Sequence, residues 1–152
     1  SRKEYPGWRH MIDNGATTIW ETWKESDNVF SQNHPMYATV SAFLHRWIGG
    51  IDPVDGGFSR VMIHPAPVRG ISTFSTSRKV NDGELRVSWK QFDGRVEFEL
   101  EVPENVEVIW TPQILRVEQL VSIMNQDGKM STSDKSQIRF SSPGIYKLVY
   151  NQ

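Results

Sequence analysis

The chain has 152 residues and a mass of 17.5 kDa, with 38% hydrophobic and 23% charged residues, enough apolar material for a packed core. Seventeen Lys and Arg against eighteen Asp and Glu leave a net charge of −1, which gives no electrostatic reason to bind nucleic acid or an anionic membrane. Cysteine is absent, so disulfides, thiolate catalysis and Cys-ligated zinc are excluded.

No apolar run approaches the roughly 18–20 residues of a membrane helix, and Ser1-Arg2-Lys3-Glu4 does not open a signal peptide. The first residue is not Met, and the chain is expected to be cut from something longer. Along the sequence, Asn14-Gly15-Ala16-Thr17-Thr18 reads as a turn. Ile19–Trp23 after it fits either a short helix or an irregular loop, because Thr17, Thr18 and Ile19 are β-branched. Tyr37, Val40, Phe43, Leu44, Trp47 and Ile48 have the spacing of an apolar helical stripe. Pro35 suits the first turn of that helix and Gly49 its end. A break follows at Gly49-Gly50-Ile51-Asp52-Pro53.

Beyond the break the period changes to 2. Leu85, Val87 and Trp89 alternate with polar residues, Asp93-Gly94 suits a hairpin turn, and Val96, Phe98, Leu100 and Val102 alternate with Glu97, Glu99 and Glu101. Val106, Val108 and Trp110 continue the pattern. Further segments at 58–64, 71–80, 118–124, 136–141 and 144–150 bring the expectation to seven or eight strands in an antiparallel sandwich. Trp89 and Trp110 share register with apolar neighbours and belong in its core. Four of the six Trp (Trp8, Trp20, Trp23 and Trp47) precede residue 50, more than two helices can cover. Exposed apolar faces are therefore expected on all four, which promotes self-association.

Candidate chemistry lies in the aromatic first part. Glu21 sits between Trp20 and Trp23, and a carboxylate beside aromatic walls suits carbohydrate hydrolysis. That reaction needs a pair, and Asp13, Glu25 and Asp27 offer no convincing partner. From the residues alone, a solvated Glu flanking core Trp is the stronger reading. His34, before Pro35, could point its ring into a cleft, but a turn residue bonded to the local backbone is again the stronger reading. His10, His34, His45 and His64 have no metal-ligand spacing, and His64 receives no role. Glu97, Glu99 and Glu101 read as the wet face of a strand. No nucleophile elbow, phosphate loop or dinucleotide fingerprint occurs, and neither a cofactor nor a metal is expected.

Tyr5-Pro6-Gly7-Trp8 and the string Met11–Trp23, with Gly15-Ala16-Thr17-Thr18-Ile19-Trp20-Glu21 inside it, resemble the late catalytic-domain motif of bacterial α-L-rhamnosidases of glycoside hydrolase family 78. Ser31-Gln32-Asn33-His34-Pro35-Met36 resembles that region's second motif, and Arg46–Ile51 the end of the helix that follows it. Gly57–Pro67 is similar to the entry into the family's C-terminal β-domain, and over 68–152 the likeness is one of pattern.

The resemblance implies a mixed fold. Residues 1–52 would be the C-terminal end of an (α/α)6 catalytic barrel, and 53–152 an all-β antiparallel sandwich. It implies an inverting glycosidase that removes terminal α-L-rhamnose. Glu21 matches the general base, His34 a residue contacting the sugar, and the general acid lies outside this chain. The implied partners are a rhamnose-containing glycan or glycoside and the remainder of the parent catalytic domain. The parent is expected in the extracellular space or periplasm, with a cytoplasmic setting still open.

Two departures, Ala38–Ala42 in the helix after the His motif and only twelve residues between Glu21 and His34, bear on substrate preference. The chain alone is expected to be inactive. The alternative is a non-catalytic β-sandwich that binds carbohydrate or supports another domain.

Overall fold

The structure, a computed structural model, describes residues 4–23, 31–80, 83–113, 115, 117–130 and 138–152. The chain divides into two compact units, Ser1–Phe43 and Leu44–Gln152.

The first unit holds a six-residue helix, α1 (Trp8–Asp13), which is too short to show an apolar period in the sequence. Its C-terminus explains the turn read at 14–18. Gly15, at φ 84°, donates to the Ile12 carbonyl (3.0 Å), and Ala16 donates to the Met11 carbonyl (3.0 Å). These two bonds form a Schellman closure, which favours a residue without a Cβ at the left-handed position. Arg9 and Asp13 pair one turn apart at 2.8 Å. Residues 19–23 form no helix, the second of the two forms the sequence allowed. Later come a 3₁₀ turn, Pro35–Ala38, and α2 (Thr39–Phe43).

The second unit opens on a π-helix, Leu44–Ile48, closed by the Gly49 N–H on the Leu44 carbonyl at 2.9 Å. The regular helix expected over 35–48 is thus three short helical types in succession, ended by Gly49 as the sequence indicated. The wider π turn breaks the 3.6-residue period. Of the expected stripe only Ile48 is buried, while Phe43, Leu44 and Trp47 are exposed.

Ten strands follow. β1 (Ile51–Pro53), β2 (Arg60–Ile63), β6 (Glu107–Trp110) and β9 (Ile138–Phe140) form a four-stranded sheet in the order β1-β2-β6-β9. β3 (Thr73–Val80), β4 (Gly83–Phe92), β5 (Arg95–Val102), β7 (Leu120–Asn125), β8 (Gly128–Met130) and β10 (Gly144–Asn151) form a six-stranded antiparallel sheet in the order β3-β4-β5-β10-β7-β8. The β4–β5 turn has Asp93 at φ 46° and Gly94 at φ 72°, the paired positive values that match strand twist in a two-residue hairpin.

Two features depart from the expected sandwich of seven or eight antiparallel strands. Strands β1 and β8 have three residues each, too few to show alternation. The other departure is β6, which leaves the large sheet after Pro103 and Asn105 (φ 60°) and runs parallel to β2 in the small one. Val108, Ile109 and Trp110 are consecutive buried residues, because both faces of that strand are covered.

The core lies between the sheets. Leu85, Val87, Trp89, Phe98, Leu100 and Leu148 project inward from the large sheet, and Val61, Ile63, Val108, Trp110 and Phe140 from the small one. Burying each such side chain contributes about 1.5–3 kcal/mol. Phe98 meets Trp110 edge-on at 5.0 Å, and Trp110 Nε1 donates to Tyr150 Oη at 2.8 Å. Trp89 Nε1 donates to the Ile48 carbonyl at 3.3 Å. Trp89 and Trp110 are both 2% exposed, so neither offers a surface platform to a sugar.

On the outer face Glu97, Glu99 and Glu101 pair across strands with Lys90 (2.7 Å), Lys147 (3.4 Å) and Arg86 (3.8 Å). Such exposed pairs contribute about 0–1 kcal/mol each. Among the described residues no helix is long and apolar enough to cross a membrane.

Candidate active site

Glu21 and His34 lie on two irregular segments of the first unit that run side by side in opposite directions. The Glu21 N–H donates to the Ser31 carbonyl at 2.9 Å, and the His34 N–H to the Ile19 carbonyl at 2.7 Å. The Thr18 hydroxyl donates to the Gln32 carbonyl. Three bonds thus fix the 18–21 segment against 31–34 with no strand on either side. The sequence favours this arrangement because Thr17, Thr18 and Ile19 prefer extended backbone, as does a His that precedes Pro35. His34 is at φ −128°, ψ 114°, and its ring makes no cap to the helical turn that follows.

The Glu21 side chain enters the same frame. Its Oε2 accepts the Ser31 N–H at 2.8 Å. That bond orients the carboxylate through one oxygen and leaves the other without a bonded partner among the described residues. Glu21 and His34 are both half-buried, accessible to a ligand yet held by their backbones.

Rings of the same unit form a row: Trp8 meets Trp23 edge-on at 5.4 Å, and Trp23 stacks on Tyr37 at 4.1 Å. The expectation that all four early Trp expose apolar faces fails for Trp20, which is 6% exposed. Trp8 (37%) and Trp47 (56%) remain open. Of the neighbouring carboxylates, Asp13 is engaged with Arg9, while Glu25 and Asp27 lie outside the described residues.

The second unit contains a polar cluster that no motif announces. Asp52 accepts from Arg46 Nε at 2.6 Å and from His64 Nε2 at 2.8 Å, and Gln113 Nε2 donates to His64 Nδ1 at 2.6 Å. Asp52 and Gln113 hold the two ring nitrogens of His64 from opposite sides, so each group's bonding orients the next. The cluster ties β1, the end of β2 and the loop after β6 together; it is a clamp rather than a catalytic group. Its bonded partners lie up to 49 positions apart, which hides them from any local pattern. Among the described residues no group of His, Asp and Glu could hold a metal ion.

A short helical unit carrying an oriented carboxylate, followed in the chain by a two-sheet sandwich, defines a mixed class of chain. Residues 1–48 match the family model described as bacterial alpha-L-rhamnosidase 6 hairpin glycosidase domain, and residues 50–113 match the bacterial alpha-L-rhamnosidase C-terminal domain. The chain belongs to the bacterial α-L-rhamnosidase family.

An alpha-L-rhamnosidase of Formosa agariphila is 27% identical over 158 residues, which are 95% of this chain and 17% of that protein. One from an Alteromonas species is 29% identical over 119 residues, 73% of this chain and 13% of that protein. The chain therefore spans less than a fifth of the length of these curated relatives. Among solved structures, the alpha-L-rhamnosidase of Dictyoglumus thermophilum superposes with a TM-score of 0.76 at 24% identity, over 100% of this chain and 18% of its own. The Streptomyces avermitilis enzyme, solved with L-rhamnose, gives 0.73 at 22% identity, over 99% and 15%. At these identities the likeness establishes the shared fold.

Proposed function

We propose that this chain is the C-terminal portion of an inverting α-L-rhamnosidase, with Glu21 as its general base and His34 in contact with the bound sugar. Residues 1–52 end the enzyme's (α/α)6 barrel and 53–152 form its C-terminal sandwich. Inversion uses two carboxyl groups about 6.5–9.5 Å apart, one protonating the leaving oxygen and the other activating water on the opposite face. Glu21 takes the second role. The observation that carries this reading is the Ser31 N–H on Glu21 Oε2 at 2.8 Å. A base must present one oxygen to water in a fixed direction, and a peptide donor on the other oxygen supplies that direction. His34 is tied to the same frame through the Ile19 carbonyl, and its ring is free to donate to a sugar hydroxyl. The stacked Trp23 and Tyr37 offer the flat apolar surface that suits a pyranose face.

The test uses the full-length parent. Glu21→Gln keeps the shape and the Ser31 contact, yet an amide cannot take the proton of water. Hydrolysis of an aryl α-L-rhamnoside should fall by roughly 10²–10⁴-fold with melting unchanged. Turnover like that of the wild type would refute the assignment. The 152-residue chain alone lacks the general acid and should show no turnover.

A further inference from the structure

We propose that the outward face of the six-stranded sheet carries a second carbohydrate site, which takes a neutral, hydroxyl-rich ligand independently of Glu21. A groove of about 490 Å³ lies there, within the size range of small-ligand sites. Its floor comes from two adjacent cross-strand rows. One runs Ser75, Ser88, Glu99, Lys147, Met124 over β3, β4, β5, β10 and β7. The other runs Thr73, Lys90, Glu97, Val149 over the first four of those strands.

Long polar side chains usually cover the wet face of an antiparallel sheet. Here they are drawn aside in directly opposed pairs, Lys90 with Glu97 at 2.7 Å and Lys147 with Glu99 at 3.4 Å. The short Ser75 and Ser88, facing each other across β3 and β4, leave the hollow between them.

The lining selects the ligand class. Two Lys and two Glu cancel, so the groove attracts neither an anion nor a cation. An extended peptide finds free backbone only along the outer edge of β3 and none across the groove floor, because β4, β5 and β10 already have partners on both edges. A sugar fits. Its hydroxyls donate to Glu97 and Glu99 and accept from Lys90, Lys147 and the serines, while Met124 and Val149 meet its C–H faces. No loop contributes, so the groove is set before binding, which limits the ordering cost.

The inference rests on the rhamnoside reading only for its choice of probes. The 152-residue chain, labelled with ¹⁵N, is titrated with L-rhamnose, a rhamnosyl-glucose disaccharide and maltotriose up to about 50 mM, well beyond a millimolar Kd. Saturable shifts are expected at the amides of Ser75, Ser88, Glu97 and Glu99. Ser88→Leu fills the hollow and should weaken binding at least about tenfold. Ser75→Met, on the edge strand β3, does the same should the central substitution perturb folding. No shifts with any sugar, or binding that survives both filling substitutions, would overturn the proposal. Shifts confined to the residues around Glu21 and His34 would also overturn it while supporting the catalytic assignment.

Discussion

Tyr150→Phe removes one oxygen from the centre of the sandwich and leaves the ring. Tyr150 and Trp110 are 0% and 2% exposed, and the Trp110 indole N–H has Tyr150 Oη as its partner at 2.8 Å. The edge-on contact of Phe98 with the ring at 5.7 Å survives the substitution. The N–H does not find water at that depth, so the loss at neutral pH is about 1–3 kcal/mol. For a unit of this size that lowers the melting midpoint by roughly 5–15 °C.

The hydroxyl gives a second, opposite signature. Burial pushes the Tyr150 phenol up to about 12 from the ordinary 10, against the smaller downward pull of the indole donor. The folded state keeps this proton where the unfolded state has released it. The stability it contributes is therefore fully present below pH 10 and is lost as pH rises from 10 to 12, at about 1.4 kcal/mol per unit. The phenyl ring of the variant carries no such proton. Urea unfolding followed by Trp fluorescence should show a gap between wild type and variant at pH 8 that narrows by about 1.4 kcal/mol at pH 11. Burial also raises Tyr146, but equally in both proteins, so it cancels in the difference. A gap that stays constant from pH 8 to 11 would show that Tyr150 is not the shielded acid described here.

Gly50→Ala should be far more damaging than Gly94→Ala, though both glycines have φ near +70°. A Cβ on Gly50 would lie 2.2 Å from the His64 carbonyl carbon, whereas nothing lies within 4 Å of one on Gly94. The expected losses are at least about 3 kcal/mol and about 1–2 kcal/mol, measured by urea unfolding, and equal losses would contradict the close packing at Gly50. Hydrogen exchange should be slow in the strands after residue 57 and fast through 8–23. A six-residue helix closes too few bonds to protect itself, and uniform protection from Tyr5 onward in a monomer would contradict this.

The sandwich was legible wherever one face of a strand is wet. Strand β5 alternates without exception because Glu97, Glu99 and Glu101 face solvent, and the Asp93-Gly94 turn names its own backbone conformation. Strand β6 was legible as a strand but not as a member of the small sheet, since pairing partners that distant leave no trace in a local period. The helix over 35–48 misled because apolar spacing records side chains and not the hydrogen-bond step, which changes from 3₁₀ to α to π. The candidate site was legible only through resemblance. Taken singly, Glu21 and His34 are ordinary residues, and two of the bonds that join their segments run between backbone atoms that any sequence would supply, while the Thr18 and Glu21 side-chain bonds reach partners ten or more positions away. The Asp52–His64 clamp escaped for the same reason as β6.

The parallel contact between β2 and β6 sets an order of assembly. Strands β3, β4 and β5 pair with their immediate neighbours in sequence and can zip as they leave the ribosome. The β1–β2 hairpin is synthesised earlier yet must wait, because its sheet closes only when β6 and then β9 arrive. During that interval Val61 and Ile63, which end fully buried, are open to solvent and to any holdase that recognises short apolar segments. The residues synthesised first in this unit are thus among the last to be secured. A slowed ribosome between β2 and β6 would lengthen that exposure, whereas a pause after β9 would not.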